Sequence, residues 1–177
     1  MSLYNQFNHE ELYTEFFTPL FRYFLFRTKD RELSSDLTQS TFLKFLVQNN
    51  KPSTKDHSVK LLFTIARTTL IDYWRVDSKR KHESIEAEEI DPISTLPTPE
   101  RDYEIQEGEV LLRELLEYLS ETEREVVTLR LTSDMSYDDI SQISGISSAN
   151  ARQLYSRALR KVQTVLQEDP RYQQYAI

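Results

Sequence analysis

The sequence predicts an all-α protein of two small helical domains, three helices followed by four, joined by an acidic linker. Three observations carry that expectation. Apolar residues recur at three- and four-residue spacing, the period of amphipathic helices. Only two glycines, Gly108 and Gly145, occur among 177 residues, too few for a turn-rich β protein. Three of the six prolines gather in Asp91-Pro92-Ile93-Ser94-Thr95-Leu96-Pro97-Thr98-Pro99. No helix should cross that stretch, because proline restricts both itself and the residue before it.

The first predicted helix, near 9–28, is aromatic, with Leu12, Phe16, Leu20, Tyr23 and Phe24 at helical spacing. Pro19 should kink or divide it. The second opens at Asp30, a good N-cap, and runs to about Gln48 with Leu33, Leu37, Phe42, Phe45 and Leu46 inward. A polar loop from Asn49 to Asp56 follows. The third helix has the cleanest stripe: Val59, Leu62, Phe63, Ala66, Leu70 and Tyr73. Arg67 and Arg75 lie off that stripe and should project outward. Tyr73 suits core packing, whereas Trp74, at the stripe's edge, suits either packing or an exposed stacking surface. Four more helices are predicted near 103–119, 121–132, 136–144 and 148–167. Ser120 with Glu123, and Ser136 with Asp139, have capping-box spacing.

Charge must be mapped before it informs. The chain carries a net −7, but ten acids and the single base Arg101 between His82 and Glu109 give that stretch −9, leaving +2 elsewhere. Residues 83–102 read either as a linker between domains or as an insertion without a role. Two basic clusters stand out in the remainder. Arg67, Arg75, Lys79, Arg80 and Lys81 oppose only Asp72 and Asp77, and Arg152, Arg157, Arg160 and Lys161 have no acid between Ser147 and Gln167. Charges act over a Debye length of about 8 Å at physiological salt, so local basic faces outweigh the acidic total and favour nucleic acid. Lys79-Arg80-Lys81 also suits a solvated helix end.

Several function classes are excluded. Zero cysteines remove disulfides, thiolate metal sites and cysteine nucleophiles. Two distant glycines cannot form a phosphate-cradling loop. His9, His57 and His82 have no metal-ligand spacing, and Asp138 and Asp139, adjacent on a helix, diverge by about 100°. No cofactor and no catalysis are expected. No run of about 18 apolar residues occurs and Met1–Glu10 is polar, so a soluble cytoplasmic chain without a membrane span is expected.

From Tyr137 to Leu154 the spacing fits a helix-turn-helix. Ile140 packs from the first helix, Gly145 supplies the left-handed turn, Ile146 plugs the corner, and Ala151 and Leu154 face inward. Tyr155, Ala158 and Val162 continue inward, leaving Arg152, Gln153, Ser156 and Arg157 outward, types that suit base edges and phosphates. An ordinary helical hairpin with a solvated basic face is the alternative.

The residues resemble a known family. Leu116-x-x-Leu119-Ser120-x-x-x-Arg124-x-Val126-Val127-x-Leu129-Arg130, then Ser136-Tyr137-Asp138-Asp139-Ile140, Gly145-Ile146-Ser147 and Arg157-Ala158-Leu159-Arg160-Lys161, resemble region 4 of bacterial sigma factors. Asp36-Leu37-Thr38-Gln39-Ser40-Thr41-Phe42-Leu43 resembles region 2.2. Phe63-Thr64-Ile65-Ala66-Arg67 with Ile71-Asp72-Tyr73-Trp74-Arg75 resembles regions 2.3 and 2.4. Two such domains alone resemble the extracytoplasmic-function (ECF) group.

The resemblance implies a transcription initiation factor with a region 2-like domain over 1–82, a linker over 83–102 and a region 4-like domain over 103–177. It implies that Asp36, Gln39 and Phe42 meet the β′ clamp helices of core RNA polymerase and that region 4 meets the β flap. Asn49, Asn50, Lys51, Arg67, Trp74, Arg75, Lys79 and Arg80 take minus-10 positions in promoter DNA. Arg130, Arg152, Gln153, Ser156 and Arg157 take minus-35 positions. An anti-sigma factor or other recruiting protein is the further partner implied. The residues alone leave two rivals, a DNA-binding regulator that never meets polymerase and an adaptor whose second domain binds protein.

Overall fold

The computed structural model describes residues 9–48, 52, 54–83, 107–172 and 175. All regular structure among them is helical: α1 (His9–Thr28), α2 (Arg31–Leu46), α3 (Lys55–Glu83), α4 (Glu107–Leu115), α5 (Glu121–Ser133), α6 (Tyr137–Ser144) and α7 (Ser148–Glu168). The expected linker lies largely outside the described residues, which resume at Glu107.

Local chemistry sets most boundaries. Asp30 caps α2, its Oδ1 accepting from the Leu33 amide at 3.0 Å. Both predicted capping boxes are present. Ser120 and Glu123 open α5, and Ser136 and Asp139 open α6, each side chain bonding the other residue's amide. Gly145 ends α6 at φ 70°, a left-handed turn that costs glycine little. Ser147 then caps α7 through the Asn150 amide at 3.2 Å.

Two elements depart from expectation. Pro19 sits inside an undivided α1. An interior proline costs about 3 kcal/mol, whereas each of the buried Phe16, Leu20, Tyr23 and Phe24 contributes on the order of 2 kcal/mol by leaving water. Packing prevails. The predicted helix near 103–119 is described from Glu107 and tightens into a 3-10 turn at Leu116–Tyr118 before extended Leu119. That turn brings both Leu116 and Leu119 into the core.

The N-terminal helices α1–α3 and the C-terminal helices α4–α7 pack on each other, α1 along α5 and α3 along α6. One apolar core draws Leu12, Tyr23, Phe63 and Leu70 together with Val126, Leu129, Ile140 and Leu154. In a second, Phe26 of α1 sits among Leu116, Leu119, Val127 and Ala158. The two groups therefore share cores across a seam.

Inside the C-terminal group Glu123 is 1% exposed, accepting from the Ser120 amide at 2.9 Å, the Ser120 hydroxyl and Lys161 Nζ at 2.7 Å. A buried carboxylate needs such donors. Glu123→Ala should lower stability by about 2 kcal/mol, because it leaves the Ser120 amide and Lys161 without their acceptor. Glu123→Gln, which can still accept from that amide, should lose about half as much in urea unfolding.

Candidate nucleic-acid interface

The outward face of α7 follows from its period. Ala151, Leu154 and Ala158 are buried, while Arg152, Gln153, Ser156 and Arg157 are exposed. Arg152 is steered by an aromatic ring: its guanidinium carbon lies 5.3 Å from the Tyr137 ring centroid. Arg130 lies 5.6 Å from the same ring, and Tyr137 meets Tyr155 edge-on at 6.0 Å. Cation–π contact holds a mobile arginine without neutralising it. The sequence carries no linear sign of this role for Tyr137.

Arg130 is not a free side chain on this face. Its Nη1 donates to the Met135 carbonyl at 2.6 Å and pairs with Asp134 at 3.3 Å. It closes the C-terminal end of α5, where carbonyls lack helical partners.

The other predicted residues fall into separate groups. Asp36 is exposed and Gln39 half-buried on α2, Gln39 donating to Ser35 Oγ at 3.4 Å. Phe42 is buried with its ring 4.8 Å from Tyr13, so it supports α2 from within rather than meeting a partner directly. Arg75, Lys79 and Arg80 are exposed along α3, Arg75 pairing with Asp72 at 2.9 Å. Asn49, Asn50 and Lys51 lie outside the described residues.

Arg67 does not project freely into solvent. Its Nε donates to Glu125 Oε1 of α5 at 2.6 Å. Half-buried Trp74 lies beside it on the same seam, with the Arg27 guanidinium carbon 5.2 Å from its ring. Arg27 is buried, its side chain only 4% exposed, and bonds Glu121 of α5. Arg67 and Trp74 thus line a cleft closed by the C-terminal helices, apart from Arg75, Lys79 and Arg80.

The seam has one electrical polarity. Arg22–Glu109 at 2.5 Å, Lys29–Glu117 at 2.5 Å, Lys60–Asp139 at 2.8 Å, Arg67–Glu125 and Arg27–Glu121 all cross it. Every cation in this set belongs to α1, α3 or the residue after α1, and every anion to the C-terminal group. The hydrogen bond from Lys29 holds the Glu117 carboxyl below its ordinary range. Burial pushes Asp139 up, but hydrogen bonds from Lys60 and Ser136 prevail and lower it. Its bond to Asp139 raises Lys60.

An acid lowered by folding stabilises the packed form above its ordinary titration range and loses that contribution as pH falls through the lowered value. Lys60, raised, loses its contribution as pH climbs through the raised value. Acidification below about pH 4 should therefore part the seam before the helices melt. The only tryptophan, Trp74, reports it: its emission should shift to the red while helical circular dichroism holds. Asp139→Asn should blunt the shift, and emission that changes only with helix loss would contradict the seam's role. Arg67→Ala should loosen the seam by about 1–3 kcal/mol and more than Glu125→Ala. Glu125 (10% exposed) would remain as a buried charge, whereas Arg67 (32% exposed) can turn to water.

Among the described residues no cluster of histidine, aspartate or glutamate could hold a metal, and no helix is long and apolar enough to cross a membrane. A family model described as Sigma-70, region 4 matches residues 109–162, from α4 into α7. The ECF RNA polymerase sigma factor SigM of Bacillus subtilis is 30% identical over 160 residues, 88% of this chain and 93% of that one. The RNA polymerase sigma factor YlaC of the same organism is 32% identical over 168 residues, 92% and 95% of the two chains. Among solved structures, the sigma factor RpoE of Bartonella quintana, in complex with the anti-sigma factor NepR, shares the fold. Its TM-score is 0.65 at 20% identity, over 90% of this chain and 97% of that one. With similarity along nearly the whole length at this identity, the chain belongs to the ECF group of RNA polymerase sigma factors, DNA-binding transcription initiation factors that are not themselves enzymes.

Proposed function

We propose that this sigma factor brings core polymerase to promoters by reading a minus-35 element with α6 and α7 and a minus-10 element with its N-terminal helices. The observation that carries this proposal is the α7 face, where Arg152, Gln153, Ser156 and Arg157 stand exposed on a helix without an acid before Glu168. In this proposal α6, the Gly145 turn and α7 form the helix-turn-helix, with α7 entering the major groove. Arg130, engaged at the end of α5, serves the surface by holding that corner and sharing Tyr137.

Arg75, Lys79 and Arg80 would track the DNA backbone near the minus-10 element, with Asn49, Asn50 and Lys51 beside an unstacked base. Arg67 and Trp74 would join them once α5 moves off, so promoter opening requires the seam to part. Asp36 and Gln39 would dock on the β′ clamp helices with Phe42 fixing their helix, and the C-terminal helices would meet the β flap. The proposal keeps domain limits of 1–82 and 103–177 with 83–102 between. By likeness to RpoE, an anti-sigma factor or other recruiting protein is proposed as a further partner.

Abortive transcription with core polymerase, followed by start-site mapping, tests the whole proposal. Arg152 and Arg157 are five residues apart, about 140° around the helix, and should do different work. Arg152→Ala in holoenzyme should cost about 1–3 kcal/mol on the preferred minus-35 sequence and relax preference there. Arg157→Ala should weaken all sequences alike and lower the salt slope by about one ion. If neither variant changes preference or salt dependence against a randomised upstream element, α7 does not read DNA. Asp36→Ala with Gln39→Ala should reduce co-purification with core polymerase at unchanged circular dichroism.

A further inference from the structure

Between the two groups of helices lies a cavity of about 330 Å³ whose walls come from α1, α3, α5 and the α6–α7 corner. Its polar lining is unevenly satisfied. Arg27 Nε and Nη1, the Tyr23 hydroxyl and Ser144 Oγ are buried without a hydrogen-bond partner among the described residues. Tyr23 is fully buried, and burial pushes its hydroxyl well above the ordinary tyrosine range, so it keeps its proton and can donate. All four groups can donate. Buried donors left without acceptors are uncommon in folded proteins.

The charged lining balances, Arg27 and Arg67 against Glu121 and Glu125, but all of its unpartnered groups are donors. The rest of the lining is apolar or aromatic: Leu70, Ile71, Trp74 and Ile146. Binding cavities for small molecules begin at about 300 Å³, so this one suits a compact ligand.

We propose that this seam cavity binds a small aromatic monocarboxylate, its anion on Arg27 with help from Tyr23 and Ser144, its ring against Trp74. The carboxylate supplies acceptors for the unpartnered donors of Arg27, Tyr23 and Ser144, and a planar body suits the indole wall. Both helix groups build the site, so the ligand binds only the packed form and stabilises it by mass action. If promoter opening requires the seam to part, as proposed above, the ligand would hold the sigma factor in reserve.

Benzoate is the probe, and Trp74 emission in the free full-length chain is the readout. Benzoate should change that emission saturably, and benzyl alcohol, which lacks the charge, should bind at least about tenfold more weakly. Tyr23→Phe and Ser144→Ala, which keep size and packing, should each weaken benzoate by about two- to tenfold. Arg27→Lys should weaken it more, since a single ammonium cannot replace the planar fork. Unsaturable quenching, equal binding of benzyl alcohol, or saturation that Tyr23→Phe, Ser144→Ala and Arg27→Lys all leave unchanged would overturn the site. A separate arm follows open-complex formation by the holoenzyme. It should fall as benzoate saturates, whereas saturable binding without that fall would uphold the site and refute the reserve role.

Discussion

Arg27 places a guanidinium inside the boundary between the two groups of helices, and most of the architecture follows from making that position tolerable. A buried charge needs opposite charge and hydrogen bonds, or the desolvation penalty dominates. Glu121 of α5 supplies the carboxylate, and the rings of Tyr23 and Trp74 supply negative π faces at 5.8 and 5.2 Å. These partners come from α1, α3 and α5, so the site exists only where those helices meet. The residue before it, Phe26, enters the core of the C-terminal helices. The end of α1 thus belongs to both groups at once.

That junction divides the residues proposed to face DNA. The α7 face is left open, with Arg152 oriented over Tyr137, while Arg67 and Trp74 are held at the seam. Two acids of the seam also serve their own helices. Glu121 and Asp139 lie in the first turns of α5 and α6, where negative charge favours the helix dipole, and each meets a cation of the opposite group. One carboxylate performs two tasks. The C-terminal helices, with basic groups exposed on one face, thereby present acids to a basic partner on another.

The charge arrangement also accounts for a sigma factor of net negative charge. Acid concentrated near residues 83–109 and along the seam leaves the outward arginines of α7 unopposed by any carboxylate of that helix before Glu168. Electrostatic attraction is local at physiological salt, so the placement of charge governs contact with DNA more than its sum.

What the sequence determined by itself is the part of the structure set by neighbours a few residues apart. Asp30 with Leu33, Ser120 with Glu123, Ser136 with Asp139 and the left-handed Gly145 are such contacts, and each boundary falls where its chemistry places it. The open face of α7 was legible for the same reason, since helical period assigns its inward and outward residues. Pro19 and the 3-10 turn at Leu116–Tyr118 were not, because burial against other helices overrode the local preference. Nor were the engagement of Arg67 or the role of Arg130 at the end of α5. Arg27 meets Glu121 across 94 residues and Arg67 meets Glu125 across 58. Only the tertiary structure decided those pairings, because a charge read along one helix carries no information about which distant helix will neutralise it.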